Sequence, residues 1–168
     1  MLRSSCLSPT ALAAFAAILG VGPLSAQNNA SASVTATVQQ PITVTKNSDL
    51  SFGNVFPGID KSIAVTAGGA AKFTVAGQAS TPVNMTFTIP ATIASGGNTL
   101  TLASWAGHYA TTDVTSGGTT FTPSASATSA TLSGSGALYV YVGATAQPTS
   151  TQAAGSYSGT MTMTVVYF

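Results

Sequence analysis

Apolar and polar residues alternate along most of the chain after residue 26, with the period of two that is typical of strands with one buried face. The longest alternating stretch covers residues 32–44. Its interruption at Gln40-Pro41 indicates a bend or a sheet edge, because proline cannot donate a ladder hydrogen bond. One face of this stretch carries Ala32, Val34, Ala36, Val38, Ile42 and Val44. The pattern therefore predicts one long, interrupted strand over 32–44.

Turn residues separate the other predicted strands, which cover residues 50–56, 63–67, 72–76, 83–89, 99–104, 138–142 and 157–167. Gly68-Gly69 predicts a hairpin between the strands 63–67 and 72–76. Residues 138–142 are apolar on both faces, which predicts a strand in the centre of a sheet. In the last run, one face carries Tyr157, Met161, Met163, Val165 and Tyr167.

The composition after residue 26 favours an all-β fold, because Thr, Val, Ser and Gly dominate and the helix formers Glu and Arg are absent. Many short strands separated by turns predict a mostly antiparallel β-sandwich, in which two one-sided sheets bury their apolar faces against each other. No linker or long repeat divides the chain, so residues 27–168 are expected to form a single domain.

The first 26 residues have the layout of a secretory signal peptide. Arg3 precedes an apolar run over residues 11–21, and small residues lead to a predicted cleavage after Ala26. The run is too short to span a bilayer, and no second one follows, so no transmembrane segment is expected in the mature chain. We therefore expect an exported protein of the periplasm, the cell surface or the extracellular space. Because the single cysteine is Cys6, the mature chain would hold no disulfide and no thiolate metal site.

Charged residues make up 4% of the chain, against about 25% in average globular domains. After residue 26 the charges of three lysines are balanced by those of three aspartates, so there is no basic patch to bind nucleic acid. A surface with so little charge gives weak repulsion between copies. This suits a protein that works in an assembly, although an ordinary low-charge exported domain would show the same composition.

Residues that carry chemistry are scarce, and we expect no enzyme, no catalytic residue, no cofactor and no metal site. His108 is the only histidine, and with Asp113 it offers the one arithmetic possibility of a Ser-His-Asp arrangement. No Gly-x-Ser-x-Gly nucleophile motif accompanies it. Asp49 and Asp60 lie in turn-like segments, and no phosphate loop or calcium loop is present.

Trp105 and Tyr109 are the candidate surface aromatics. If they are exposed, their rings could stack on a sugar or on a partner protein. An aromatic plug at one end of the sandwich is the favoured alternative.

Two segments carry a resemblance to a known family. The first is the run over residues 35–45 with its continuation Leu50-Ser51-Phe52-Gly53, and the second is Gly155-Ser156-Tyr157 followed by the closing alternating strand. Together they resemble the exported bacterial family called domain of unknown function 4402. More distantly, they are similar to spore coat U-type and archaic chaperone–usher pilin subunits.

The resemblance implies an immunoglobulin-like β-sandwich that a neighbour's N-terminal strand completes by main-chain pairing. On this basis, residues 27–44 would supply the donor strand through Ala32, Val34, Ala36, Val38, Ile42 and Val44. The face of residues 157–167 would form the strand that an assembly chaperone caps. The implied partners are copies of this chain or related subunits, with a periplasmic chaperone and an usher. Pairing of the N-terminal strand within its own domain is the equal alternative.

The sequence therefore predicts a non-enzymatic structural or adhesive surface protein, a fimbrial-type subunit that assembles by strand addition. The alternative is a monomeric carbohydrate- or surface-binding module that uses Trp105 and Tyr109.

Overall fold

The computed structural model describes residues 28–168, and the predicted signal peptide lies outside them. All strands belong to one compact unit, Thr37–Phe168, whereas residues 28–36 are exposed and form no strand. Within residues 28–168 the chain forms no helix and ten strands. The strands are β1 (Thr43–Ser48), β2 (Lys61–Ile63), β3 (Ala71–Ala76), β4 (Pro82–Thr88), β5 (Thr92–Ser95), β6 (Asn98–Ala110), β7 (Thr119–Phe121), β8 (Thr128–Thr131), β9 (Ala137–Gln147) and β10 (Thr162–Tyr167).

The strands form two antiparallel sheets. The larger sheet has the order β1-β3-β9-β6-β5, with β2 added to β9 and β7 added to β6, and the smaller sheet has the order β10-β4-β8. The inner faces of the sheets meet in one main core, to which Val75, Phe87, Leu138 and Met163 contribute. This arrangement confirms the predicted all-β, mostly antiparallel sandwich.

Strand β9 lies in the centre of the larger sheet, as the apolar pattern of residues 138–142 predicts. Its even positions, from Leu138 to Ala146, are buried in the interior. The prediction for residues 83–89 is also confirmed, because β4 pairs with both β10 and β8.

The predicted hairpin around Gly68-Gly69 is wrong. Strands β2 and β3 do not pair with each other; they lie end to end along the same edge of β9, with Ile63 opposite Ala144 and Ala71 opposite Val142. Residues 64–70 leave the sheet between them as a loop. The loop crosses β9 at Gly143, where an added Cβ would collide with the carbonyl of Ile63.

The predicted strand over residues 32–44 is also wrong for most of its length. Residues 28–42 form no strand, and β1 begins only at Thr43, where pairing with β3 starts. The predicted strand over residues 50–56 does not form either. There Gly53 has a positive φ of 62°, and the amide of Ser51 donates to the carbonyl of Gly69 in the loop. Local alternation is not enough where no neighbouring strand supplies the backbone partners.

Strand β6 is longer than the predicted strand 99–104 because a β-bulge carries it onward. The register against β9 shifts between Ala103 and Ala106, and Ser104 has a φ of 48°. The extra residue moves the inward face from Leu102 to Trp105. Strands β5, β7 and β8 are short and were not predicted.

The predicted last strand begins later than expected, because β10 starts at Thr162. Before it, Ser158 forms an isolated bridge with Ala94 of β5. No helix within residues 28–168 is long and apolar enough to cross a bilayer.

Candidate functional site

One side of the sandwich is open between β1 and β10, which are edge strands of opposite sheets. Within residues 28–168, β1 pairs only with β3, and β10 pairs only with β4. Val44 lies opposite the buried Val75 and so faces the interior, yet it is 39% exposed. An inward-facing valine with this exposure indicates that the core is not fully covered along β1.

At the end of β1 marked by Lys46 and Ser48 lies a groove of about 960 Å³, which we call the edge groove. It is bounded by residues 46–57 on one side and by residues 152–161 on the other. Phe73, Leu100, Leu102 and Trp105 line it from the larger sheet. The groove is lined by apolar side chains of the two interior clusters and by polar residues that include the Lys46–Asp49 ion pair.

The two motifs that carry the family resemblance form the facing walls of the edge groove. Leu50 and Phe52, from the Leu-Ser-Phe-Gly motif, lie on one wall, where Leu50 packs against the main core and Phe52 against the smaller cluster. Tyr157, from the Gly-Ser-Tyr motif, lies on the other wall and packs against the same smaller cluster. Its hydroxyl donates to the carbonyl of Ala153, 2.7 Å away, and accepts from the side-chain amide of Gln152 at 2.7 Å.

Tyr167 at the end of β10 links this strand to the segment just before β1 and to the residues after β3. Its hydroxyl donates to the carbonyl of Gln40 (2.7 Å) and accepts from the amide of Gln78 (2.6 Å). The amide of Gln40 donates in turn to the side-chain oxygen of Gln78 at 3.3 Å. We call this set of contacts between Gln40, Gln78 and Tyr167 the tyrosine clamp.

The structure separates the predicted donor-strand residues into two groups. Ala32, Val34, Ala36 and Val38 are exposed, with Val34 and Val38 at 96% and 94%. In contrast, Ile42 packs against the main core, and Val44 belongs to β1. Residues 28–41 therefore carry an exposed apolar alternation, and the chain enters the sandwich at Ile42.

The predicted capping-strand residues also fall into two places. Met163, Val165 and Tyr167 lie on the inward face of β10, where Met163 is buried and the other two are half-buried. Tyr157 and Met161 precede the strand and line the edge groove.

Trp105 and Tyr109 both face inward from β6 and are half-buried, but they do not form a common surface. Trp105 lines the edge groove. Tyr109 packs against Phe121, with ring centroids 5.9 Å apart, and its hydroxyl donates to the carbonyl of Ser129 at 3.2 Å.

His108 and Asp113 lie on the outer side of the larger sheet and do not pair with each other. The Asp113 carboxylate forms an ion pair with Lys72 (2.6 Å) and accepts a hydrogen bond from the hydroxyl of Tyr141. His108 is buried, and its Nδ1 has no hydrogen-bond partner among the described residues. Residues 28–168 contain no group of three or more side chains arranged to hold a metal ion.

This outer network shifts two pKa values. The hydrogen bonds from Lys72 and Tyr141 lower the pKa of Asp113 below its ordinary value. Burial, together with the hydrogen bond to the Asp113 carboxylate, raises the pKa of Tyr141 to about 12. Both shifts favour an ionised Asp113 and a protonated Tyr141, the states in which their hydrogen bond forms. The network therefore anchors the segment after β6 to β3 and β9.

Sequence reasoning missed the edge groove and the tyrosine clamp. The groove brings residues 46–57 close to residues 152–161, which no local pattern indicates. The clamp joins residues 40, 78 and 167, which are far apart in the chain. The two motif segments were the available signal, since each contains an aromatic residue within two positions of a glycine.

A family model described as Domain of unknown function (DUF4402) matches residues 42–167. The match begins one residue before β1 and ends with β10, so it contains both edge strands and both walls of the edge groove. No curated protein matches the chain. The more distant likeness to spore coat U-type and pilin subunits stays a prediction.

Proposed function

The chain belongs to the family described as Domain of unknown function (DUF4402), and from the edge groove of this domain we propose that the protein is a non-enzymatic structural subunit that assembles by β-strand addition. In the proposal, a segment from a second copy enters the edge groove and pairs with a free strand edge. The protein would act as an exported, fimbrial-type surface component, with adhesion as a property of the assembly.

The observation that carries the proposal is the gap between β1 and β10. Each strand has one edge without a strand partner among the described residues, and the inward-facing Val44 is 39% exposed between them. An added strand would supply main-chain partners to such an edge, and its alternate side chains would cover the interior.

The exposed N-terminal segment has the properties that the groove requires of an occupant. Residues 28–41 contain no charged side chain, and small apolar residues recur at every second position from Ala32 to Val38. In an extended strand, these residues would span roughly 20 Å along one face. Burying each exposed valine would contribute about 1.5–3 kcal/mol.

Export and partner proteins are further parts of the proposal. The pattern of residues 1–26 supports passage through the secretory pathway to the periplasm or cell surface. A periplasmic chaperone and an usher are proposed from the family resemblance. In such a system, the edge groove is the surface that a chaperone would cover before assembly.

The test is the native mass of the exported chain by light scattering. Changing Val34→Asp and Val38→Asp together is expected to abolish oligomers, because a carboxylate would be buried at each site. Thr35→Asp with Thr37→Asp is the matched control: it adds the same charge on the other face of the segment and should leave oligomers in place. Since both valines are exposed, the melting temperature of the isolated domain should stay unchanged. Oligomers that survive the valine changes would refute the donor role.

A monomeric carbohydrate-binding module is the second candidate, because Trp105 and Tyr157 both line the edge groove. Aromatic rings in a groove can stack on the apolar faces of sugars. A change in the fluorescence of Trp105 on adding glycans to the monomeric double-Asp variant would support this candidate. Unchanged fluorescence across a glycan panel would count against it.

A further inference from the structure

Strand addition between copies must compete with insertion of a segment into the groove of its own chain. A segment tethered by a short linker has an effective concentration in the millimolar range near its own groove. Other copies of an exported protein are normally more dilute than this. Unless something hinders self-insertion, the N-terminal segment would fill its own groove and no assembly would form.

Self-insertion requires a tight reversal of the chain immediately before β1. Residues 28–39 could run beside β1 only if the chain reversed its direction before Thr43, and the tightest such reversal is a hairpin turn at residues 39–42. Two-residue hairpin turns need a positive φ at their first central residue. Neither Gln40 nor Pro41 has a positive φ, and proline also restricts the residue before it to extended conformations. The dipeptide therefore opposes a tight hairpin turn before β1.

The tyrosine clamp holds this dipeptide in place. The Gln40 carbonyl accepts from the Tyr167 hydroxyl, and the Gln40 amide donates to Gln78, so both backbone groups of Gln40 are occupied. Gly77 leaves room for this arrangement, since a Cβ there would lie 2.5 Å from the Tyr167 hydroxyl. A turn at residues 39–42 would have to break these hydrogen bonds of Gln40.

We infer that the tyrosine clamp, together with Pro41, keeps the N-terminal segment out of its own edge groove and so reserves the groove for a second copy. The inference rests on the proposed function, and it assigns Tyr167 a positioning role in assembly. A strand from another copy needs no turn at residue 40, so the clamp hinders self-insertion without hindering exchange between copies.

The experiment compares the wild-type chain with Tyr167→Phe, with Pro41→Gly and with the double variant. Light scattering gives the mass of each, and hydrogen exchange read by mass spectrometry gives the protection of residues 28–39. The double variant is expected to shift from oligomers to monomers whose N-terminal segment is protected, with the ratio of monomer to oligomer raised roughly tenfold or more. Tyr109→Phe is the control, because it removes a tyrosine hydroxyl far from the clamp and should leave the mass unchanged.

The outcomes separate the inference from the proposed function. Oligomers of unchanged mass in all three clamp variants would refute the clamp and leave strand addition standing. A wild-type monomer with a protected segment would refute the clamp, because it would show self-insertion despite Tyr167. A segment that is unprotected in the wild type and in every clamp variant would refute both. If the double variant fails to fold, the single variants test the clamp instead, since Tyr167→Phe keeps the ring that packs on the core.

Discussion

Gly107 of β6 lies directly beneath the ring of Phe121 on the inward face of the larger sheet. An added Cβ at this glycine would overlap three carbon atoms of the ring. Phe121 also packs against Phe87, with ring centroids 5.4 Å apart, so the ring has little freedom to move away. The absence of a side chain at residue 107 thus lets β7 close over the core.

We expect Gly107→Ala to destabilise the domain by about 1–3 kcal/mol, because the new methyl group overpacks the core. The measurement is the midpoint of urea unfolding. Gly97→Ala, in the turn between β5 and β6, is the control, since no heavy atom lies within 4 Å of its added Cβ. Equal midpoints for the two variants would show that the Phe121 ring moves aside without loss of stability.

At the scale of elements, the segment after β6 is held against the outer face of the sheet by one carboxylate. Asp113 contacts Lys72 of β3 and Tyr141 of β9, and Gly118 lies against the ring of His108. Lys72 also lies 5.7 Å from the ring centres of Tyr139 and Tyr141. The position of the segment over residues 111–118 therefore depends on an ionised Asp113 and a protonated Tyr141.

This dependence predicts two pH limits for the segment. Because the folded-state pKa of Asp113 is below 3.8, its anchoring is present above pH 3.8 and is lost as the pH falls through the lowered pKa. Because the pKa of Tyr141 is raised from 10 to about 12, its contribution is complete below pH 10 and is lost as the pH rises through about 12. NMR signals of residues 111–118 should sharpen at both limits as the segment is released.

Asp113→Asn should release the segment at neutral pH, while Asp60→Asn should leave its signals unchanged, because Asp60 contacts Gln147 instead. Signals that keep the same width through both pH limits would contradict the anchoring role.

The elements that the sequence predicted well are those whose pattern matches their place in the sheet. Strand β9 is apolar on both faces because one face is buried in the core and the other is mostly half-buried, and β4 alternates because only one of its faces is fully buried. The bulge at Ser104 was not predictable, since a single serine with a positive φ has no local signature. It decides the site nevertheless, because it turns Trp105 toward the groove. The hairpin prediction failed because Gly68-Gly69 also suits a loop that interrupts one strand.

At the scale of the whole molecule, the alternation of residues 32–38 predicts a strand with one apolar face, but residues 28–42 form no strand in the structure. The same sequence pattern suits a strand in its own domain and a strand for a neighbour. The unpaired edges of β1 and β10 distinguish these two roles, and they result from pairing between strands that are far apart in the chain. The edge groove could not be predicted for this reason, although the sequence motifs that line it could be recognised.

If the edge groove accepts residues 28–41, a synthetic peptide of that sequence should bind the monomeric Val34→Asp, Val38→Asp variant. A ligand that binds only the folded state stabilises it by about 2.7 kcal/mol at a hundred times its dissociation constant, so the melting temperature should rise by several degrees. The fluorescence of Trp105 should shift to shorter wavelength, because the peptide would displace water from the groove that this side chain lines. A peptide carrying Asp at positions 34 and 38 should produce neither effect. Equal effects from both peptides would mean that the apolar face of the segment is not what the groove recognises.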